Sequence, residues 1–165
     1  MFPGRFYHVG VRPSPSAAVL VSASKPDAGG PVQESAHAIA QQSYSRCLRS
    51  GGFLPRLYEL LLESDPAIPP YFAETEFPRQ HKLLQHGLGL LLSYGNRPEP
   101  ALLDRIAARH SSVGLNVRPE FYPLFVESLL GALREHDPRV DPDVEAAWRE
   151  AVRPGIDFMK SRYDS

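Results

Sequence analysis

The stretch LLDRIAARHSSVGLNVRPEFYPLF, residues 102–125, ends an apolar helical stripe with a histidine. Leu102, Ile106 and His110 follow one another at intervals of four, and Leu103 and Val113 flank them. This spacing places side chains on one face of an α-helix, so the His110 imidazole is predicted to project from the buried side. A buried imidazole either hydrogen-bonds to a carbonyl or binds a metal through a neutral ring nitrogen. Spacing alone leaves both alternatives open.

Two further polar side chains interrupt apolar helical stripes. Tyr58 lies between Leu57 and Leu61, and a buried phenol needs a hydrogen-bond partner. Gln80 lies within the stripe of a later helix, where an unpaired amide would cost about 1–3 kcal/mol. The simpler alternatives are a tyrosine whose tip reaches solvent and a helix rotated to place the amide in water. Together with His110, the phenol and the amide predict a ligand bound between helices.

Composition limits the class of protein. The chain has 165 residues, 42% of them hydrophobic, which predicts a single core with a tail. A net charge of −1 lacks the basic excess on which nucleic-acid and membrane-surface binding rely, so neither partner is expected. The uncharged run 87–92 is too short to span a bilayer. The single cysteine, Cys47, fits a reducing, cytoplasmic compartment and a small buried hydrophobe.

Residues 1–33 differ from the rest of the chain. They are rich in Pro, Gly, Ser and Ala and show no sustained helical or strand period, which predicts a disordered tail before a folded domain at 34–165. The run AAVLVSA could be the core of a secretory signal. It is short, follows Pro13 and Pro15, and lacks a clustered basic start, so the disordered tail is the favoured interpretation.

The remaining sequence has a helical period throughout and no segment that alternates with period 2. It predicts an all-α domain of six main helices and one short corner helix, with short connections between neighbours. The predicted main helices cover residues 35–49, 52–63, 75–93, 100–111, 119–136 and 141–163.

Particular residues set the expected ends of these helices. Ser64-Asp65-Pro66 should restart a short helix that Pro69-Pro70 ends, leaving Tyr71 and Phe72 on a corner. Thr75 is the expected N-cap of the next helix. Pro154-Gly155 should kink the last one, because proline removes a helical hydrogen bond.

No competing catalytic motif is present. The sequence has no GxSxG elbow, glycine-rich phosphate loop, HExxH pair or EF-hand loop. His81, Gln85 and His86 lie near Gln80 but on the more polar sides of the same helix, and they are predicted to be solvated.

The ordered set of segments resembles the bacterial single-domain globins, the group that includes the globin domains of flavohaemoglobins and globin-coupled sensors. The segments are LYELLLESDPAIPPYF (57–72), FPRQHKLL (77–84), IAARHSSVGLNVRPEFYPLFVESLLGAL (106–133) and VEAAWREAV (144–152). The resemblance covers residues 35–163. It implies a globin fold whose haem b lies between the helices predicted at 75–93 and 100–111.

The resemblance also implies roles for particular residues. His110 matches the proximal iron ligand, and Phe72 matches the corner phenylalanine that packs on the porphyrin. Tyr58 and Gln80 match the distal donors to bound oxygen, and Leu84 matches the apolar residue over the iron. Three more residues are implied at the cofactor: Leu83, Ile106 and Tyr122.

Such a pocket implies reversible binding of dioxygen, carbon monoxide and nitric oxide, with high oxygen affinity from two distal donors, and no enzymatic activity is expected. Two alternatives are a nitric oxide dioxygenase fed by a separate reductase and a gas-sensor module. The sensor would signal through a homodimer of the last two helices.

Two departures from the flavohaemoglobin pattern bear on these alternatives. The chain ends at Ser165 without a reductase module, and Tyr163 stands where a glutamate would strengthen the proximal histidine. The loop HSSVGLNVRPE (110–120) is two residues longer, which could alter the orientation of His110.

Overall fold

The computed structural model describes residues 34–165, which contain six α-helices, one 3-10 helix and no strand. The all-α prediction of six helices and a corner helix is confirmed. The predicted tail, including AAVLVSA, lies outside the described residues. No helix within residues 34–165 combines the length and apolar character needed to cross a bilayer.

The elements are α1 (Ala36–Arg49), α2 (Phe53–Ser64), the 3-10 helix (Pro69–Phe72), α3 (Phe77–Tyr94), α4 (Pro100–His110), α5 (Phe121–His136) and α6 (Pro142–Ser161).

Side-chain caps set the start of the first and last helices. The Ser35 hydroxyl accepts the Ala38 N–H at 3.2 Å, and the Asp141 carboxylate accepts the Val144 N–H at 2.8 Å. Each bond satisfies a first-turn donor that has no partner within its helix. These two helices therefore begin within a residue or two of the predicted positions.

The corner between α2 and α3 differs from the prediction. Pro66 does not restart a helix, because the Asp65 carboxylate accepts the Ala67 N–H at 2.7 Å and closes a turn instead. Pro69 and Pro70 begin the 3-10 helix rather than ending a helix. Proline fits the first positions of a helix, where no N–H donor is needed.

The start of α3 also departs from expectation. Helix α3 starts at Phe77 with Glu76 before it, so Thr75 is not its N-cap, and Pro78 fills the first turn.

Helix α6 runs through Pro154 without ending there, and the kink expected at this proline stays a prediction. The next residue is Gly155, where a Cβ atom would lie 2.6 Å from the Leu91 Cδ2 atom. Glycine at this position lets α3 approach α6 closely.

Helix α6 is central to the main core, because α1, α3, α4 and α5 all contact it. Its Trp148 is fully buried, edge-on to the Tyr44 ring at 5.9 Å and tilted against the Phe53 ring at 6.2 Å. Helix α2 packs mainly on α5. The four stripe residues predicted for α2 are all buried: Leu54, Leu57, Tyr58 and Leu61.

A buried polar network crosses this core. The Asp137 carboxylate, 0% exposed, accepts two hydrogen bonds from the Arg46 guanidinium, at 2.6 and 2.8 Å. The Ser43 hydroxyl donates to the same carboxylate at 2.5 Å and accepts from the Trp148 Nε1 at 2.8 Å. Burial by itself would raise the pKa of Asp137, but the Arg46 and Ser43 hydrogen bonds hold it below its usual range.

We expect Asp137→Ala to lower the free energy of unfolding by about 3 kcal/mol in urea denaturation. The change leaves Arg46 and Ser43 without their buried partner, and Arg46 is 14% exposed, which limits the cost to the lower end of the range for broken buried pairs. Because the folded pKa is depressed, the stabilisation is present at neutral pH and is lost as the pH falls through the folded value. The difference between wild type and variant should therefore narrow in acid.

Glu135→Ala is the matched control. Its ion pair with Arg56 also joins α5 to another helix, but both side chains are substantially exposed, at 48% and 32%. Exposed ion pairs contribute little to stability, so this variant should lose much less than Asp137→Ala. Equal losses for the two variants would contradict the role given to the buried network.

Candidate functional site

His110 is the last residue of α4 and is half-buried. Its Nδ1 atom lies 2.8 Å from the Ile106 carbonyl oxygen, one turn earlier in the same helix. A carbonyl can only accept, so Nδ1 carries the proton and Nε2 keeps its lone pair. Burial lowers the pKa of His110, and the nearby Arg109 charge acts in the same direction, whereas the Ile106 hydrogen bond opposes them. A neutral imidazole whose Nε2 keeps its lone pair and whose ring is fixed can serve as a metal ligand.

The loop after His110 folds back over the end of α4. The Val117 N–H donates to the His110 carbonyl at 3.0 Å, and the Leu115 N–H donates to the Arg109 carbonyl at 2.8 Å. A Cβ atom at Gly114 would lie 2.5 Å from the Arg109 oxygen, so only glycine permits this close return of the chain. The long loop is therefore ordered by backbone hydrogen bonds to the turn that carries His110.

The buried side of α4 is not where the sequence stripe places it. Leu103 and Ala107 are buried, at 1% each, whereas Leu102 is 38% exposed and Val113 is 88% exposed in the loop. The i, i+4 spacing correctly groups Leu102 and Ile106 with His110 but does not identify this row as the deepest one. The row lies beside the core, and Val113 does not belong to it.

Tyr58 lies at the centre of a second cluster of rings. Its ring contacts those of Phe72, at 5.5 Å, and Phe77, at 5.6 Å, both in edge-to-face geometry. The residue is 4% exposed, and burial raises the pKa of Tyr58 to about 12, an effect that the nearby Gln80 side chain opposes. The phenol therefore stays protonated at physiological pH and can donate. We call Tyr58, Phe72, Phe77 and His81 the aromatic cluster.

Gln80 and Leu84 lie one turn apart on α3, next to this cluster. Gln80 is half-buried. Leu84 packs against both the main core and a second hydrophobic cluster, whose buried residues are Tyr58, Leu61, Ile68 and Phe121. The structure thus brings Tyr58, Phe72, Gln80 and Leu84 together. Leu83 is 51% exposed and is not among the residues packed on either cluster.

The burial of His81 also differs from the prediction. His81 was predicted to be solvated, as Gln85 and His86 are, yet its ring packs at 5.5 Å from Tyr58 and 6.0 Å from Phe77. Its Nε2 atom is buried and has no hydrogen-bond partner within the described residues. The helical period could not reveal this, because α2 crosses α3 on the face that looks polar in sequence.

Ile106 and Tyr122 complete the predicted site residues. Ile106 packs against the main core from α4, and a Cβ atom at Gly87 of α3 would lie 3.9 Å from its Cδ1 atom. Helices α3 and α4 therefore face each other here, with His110 one turn beyond. Tyr122 is 7% exposed within the main core, and burial raises its pKa to about 12.

The loop after His110 and the wall around Tyr58 border the same region. Val117, whose N–H is bonded to the His110 carbonyl, packs on the hydrophobic cluster that contains Tyr58 and Phe72. The Tyr71 hydroxyl also donates to the Asn116 carbonyl at 2.8 Å, which joins the 3-10 corner to the loop. The loop that follows His110 therefore contacts both the 3-10 corner and the cluster that contains Tyr58 and Phe72.

A separate groove of about 430 Å³ lies on the opposite face of α3, against α1. The Tyr44 hydroxyl donates across it to the Gln85 carbonyl at 2.7 Å. Its lining residues include none of the predicted site residues: Tyr44, Leu48, Lys82, Gln85, His86, Gly89 and Leu90.

Comparisons with known proteins identify relatives of this chain. The sequence model of the globin family matches residues 55–157. A crystal structure of the protein PA3967 from Pseudomonas aeruginosa PAO1, described as structurally highly homologous to a human haemoglobin, is 38% identical in sequence. The match covers 79% of this chain and 99% of that one, with a TM-score of 0.77. No curated protein gives a significant match.

We predict that His81→Leu will raise the free energy of unfolding of the cofactor-free protein by about 1 kcal/mol. The substitution removes a buried nitrogen that has lost its water without gaining a protein partner, and it keeps an apolar side chain between Tyr58 and Phe77. Urea denaturation followed by far-UV circular dichroism measures the change.

His86→Leu is the control, because His86 is exposed on the same helix and its replacement should change stability by less than about 0.5 kcal/mol. A loss of stability of 1 kcal/mol or more in His81→Leu would show that Nε2 is satisfied in solution.

Proposed function

The chain belongs to the globin family, and on that premise we propose that it binds haem b through His110 and reversibly binds dioxygen with high affinity. The observation that carries the proposal is the hydrogen bond from His110 Nδ1 to the Ile106 carbonyl. It leaves Nε2 as the ligand nitrogen and fixes the plane of the ring. A haem iron held there would offer a sixth coordination position to dioxygen and other diatomic gases.

The residues of the region fit a haem. A single imidazole suffices as a protein ligand when a porphyrin supplies the other nitrogens. Ile106 on α4 and Leu84 on α3 are apolar and half-buried, as walls of a porphyrin site need to be, and Phe72 presents a ring from the corner. Within the described residues, no group of three or more His, Cys, Asp and Glu side chains could hold a metal ion.

Tyr58 and Gln80 supply the selectivity for ligands. The Tyr58 phenol stays protonated, with a pKa of about 12, and the Gln80 amide lies beside it. Each can donate to a ligand that carries negative charge, and each such bond contributes about 1 kcal/mol in a pocket that excludes water. Dioxygen gains more from these donors than carbon monoxide does, because it takes up more charge on binding. The expected result is slow oxygen release, which suits storage or scavenging better than delivery.

The position of Tyr163 favours ligand binding over the dioxygenase alternative. Its hydroxyl donates to the Asn116 side chain at 2.6 Å rather than to His110, whose Nδ1 is bonded to a neutral carbonyl. A carbonyl partner makes the imidazole a weaker electron donor than a carboxylate partner does. Turnover of nitric oxide with a supplied external reductase tests the enzymatic alternative. Ligand-dependent association through α5 and α6 tests the sensor alternative.

A cytoplasmic location is part of the same proposal. The single cysteine of the sequence, Cys47, is buried and has no second cysteine to pair with, which fits a reducing compartment.

We predict that His110→Ala will abolish stable haem binding, because it removes the proposed iron ligand. Haem retention is measured by visible absorption after desalting, in the presence and absence of added imidazole. Imidazole should restore a histidine-like spectrum by filling the space left by the side chain. His86→Ala, an exposed histidine on α3, is the control and should retain haem. Full retention by His110→Ala would assign the ligand to another residue.

Tyr58→Phe should speed oxygen dissociation about fivefold and leave carbon monoxide dissociation nearly unchanged. The factor corresponds to the loss of one hydrogen bond of about 1 kcal/mol. Stopped-flow displacement and flash photolysis give the two rates. Tyr44→Phe is the control, because its hydroxyl also bonds to α3, but on the opposite face. Equal effects of Tyr58→Phe on both gases would remove the phenol from the ligand site.

A further inference from the structure

Asn116 has an unusual backbone for its residue type. Its φ is 54°, and within residues 34–165 it is the single non-glycine residue with positive φ. The left-handed conformation costs about 1 kcal/mol for a residue with a side chain, although asparagine tolerates it better than most. A conformation of this kind persists where neighbouring contacts require it.

Three of the hydrogen-bonding groups of Asn116 engage different parts of the chain. Its N–H donates to the Ser111 carbonyl at 2.9 Å, directly after His110. Its backbone carbonyl accepts from the Tyr71 hydroxyl at 2.8 Å, and its side-chain Oδ1 accepts from the Tyr163 hydroxyl at 2.6 Å. The left-handed backbone lets these groups point in separate directions.

The two tyrosines belong to elements far apart in sequence. Tyr71 lies in the 3-10 helix, next to Phe72, and its ring packs edge-on to Phe121 at 5.7 Å. Tyr163 follows α6, and its backbone carbonyl accepts the Ser112 N–H at 2.8 Å. The loop after His110 is thus held at Ser112 and again at Asn116.

We propose that Tyr71, Asn116 and Tyr163 form a clasp that positions the His110 imidazole and fixes the Phe72 corner relative to it. The proposal rests on the proposed function, since it concerns how His110 meets a haem. Asn116 and Tyr163 are positioning residues in it: they act through the loop whose Val117 N–H is bonded to the His110 carbonyl.

Because the clasp is exposed to solvent, breaking it should change the orientation of His110 without lowering the stability of the fold. Both tyrosine hydroxyl bonds are exposed to solvent, so water can replace either one at small cost to folding. Loss of a bond should instead let the loop, and with it the end of α4, sample more than one orientation. A haem bound through Nε2 would report that freedom directly.

A double-mutant cycle tests the Asn116–Tyr163 bond. Asn116→Gly removes Oδ1 but keeps the left-handed backbone and the carbonyl that accepts from Tyr71, and Tyr163→Phe removes the other partner of the same bond. Each single variant should lose haem to an excess of a haem scavenger about fivefold faster than wild type. The double variant should be no faster than either single variant, because all three lack one bond.

A second readout excludes a purely structural effect. The iron–histidine stretching band in resonance Raman spectra of the reduced protein should shift or broaden in both single variants, while neither variant loses stability in urea denaturation of the haem-free protein. Tyr71→Phe should give the same spectral change through the other arm of the clasp. Tyr44→Phe, which removes an exposed bond on the far face of α3, should leave the band and the haem loss rate as in wild type.

The outcomes separate the clasp from the proposed function. If wild type fails to bind haem, the proposed function fails and takes the clasp with it. If wild type binds haem but Asn116→Gly, Tyr163→Phe and Tyr71→Phe keep its haem loss rate and Raman band, the clasp is overturned and the proposed function stands. Fully additive effects in the double variant would also overturn it.

Discussion

The chemistry of His110 depends on one hydrogen bond, from its Nδ1 atom to the Ile106 carbonyl one turn earlier. The bond fixes the tautomer, holds the ring in one plane and leaves the Nε2 lone pair available to a ligand. The alternatives left open by the sequence, a core histidine and a metal ligand, are therefore compatible. The same side chain satisfies one nitrogen within the helix and offers the other. Burial lowers the pKa of His110, which favours the neutral form that a metal requires.

Tyr58 is held in a different way. Its ring packs against those of Phe72 and Phe77, and the nearby Gln80 side chain opposes the effect of burial on its pKa. Aromatic packing fixes a ring without using its polar group, so the phenol remains available to a ligand. Among the described residues, the buried Nε2 atom of neighbouring His81 has no hydrogen-bond partner, a cost to folding that the rest of the core offsets.

The sequence predicts the fold and the burial of Tyr58 because helical spacing records which side chains share a face. Tyr58 lies in a strict stripe with Leu57 and Leu61, and all three are buried as that spacing implies. Spacing fails where burial depends on a neighbouring helix. His81 looks polar-facing until α2 is seen to cross there, and Val113 looks apolar-facing although it lies in an exposed loop.

Long-range polar contacts are also invisible in the sequence. Asn116 and Tyr163 are 47 positions apart, and no local pattern marks their hydrogen bond. The resemblance to flavohaemoglobins draws attention to Tyr163 only as the place of a missing glutamate. The structure gives it a contact of its own, on the loop rather than on the histidine. The prediction for Pro69 and Pro70 is wrong for a different reason: a proline that can end one helix can also begin the next.

The most direct test of the central claim is the visible absorption spectrum of the purified protein, titrated with hemin, reduced, and then exposed to carbon monoxide. We predict saturation at one haem per chain, a five-coordinate spectrum of the histidine-ligated type on reduction, and a shift to a six-coordinate spectrum with carbon monoxide. A protein that remains colourless after hemin is offered, or whose reduced spectrum does not respond to carbon monoxide, would contradict the account.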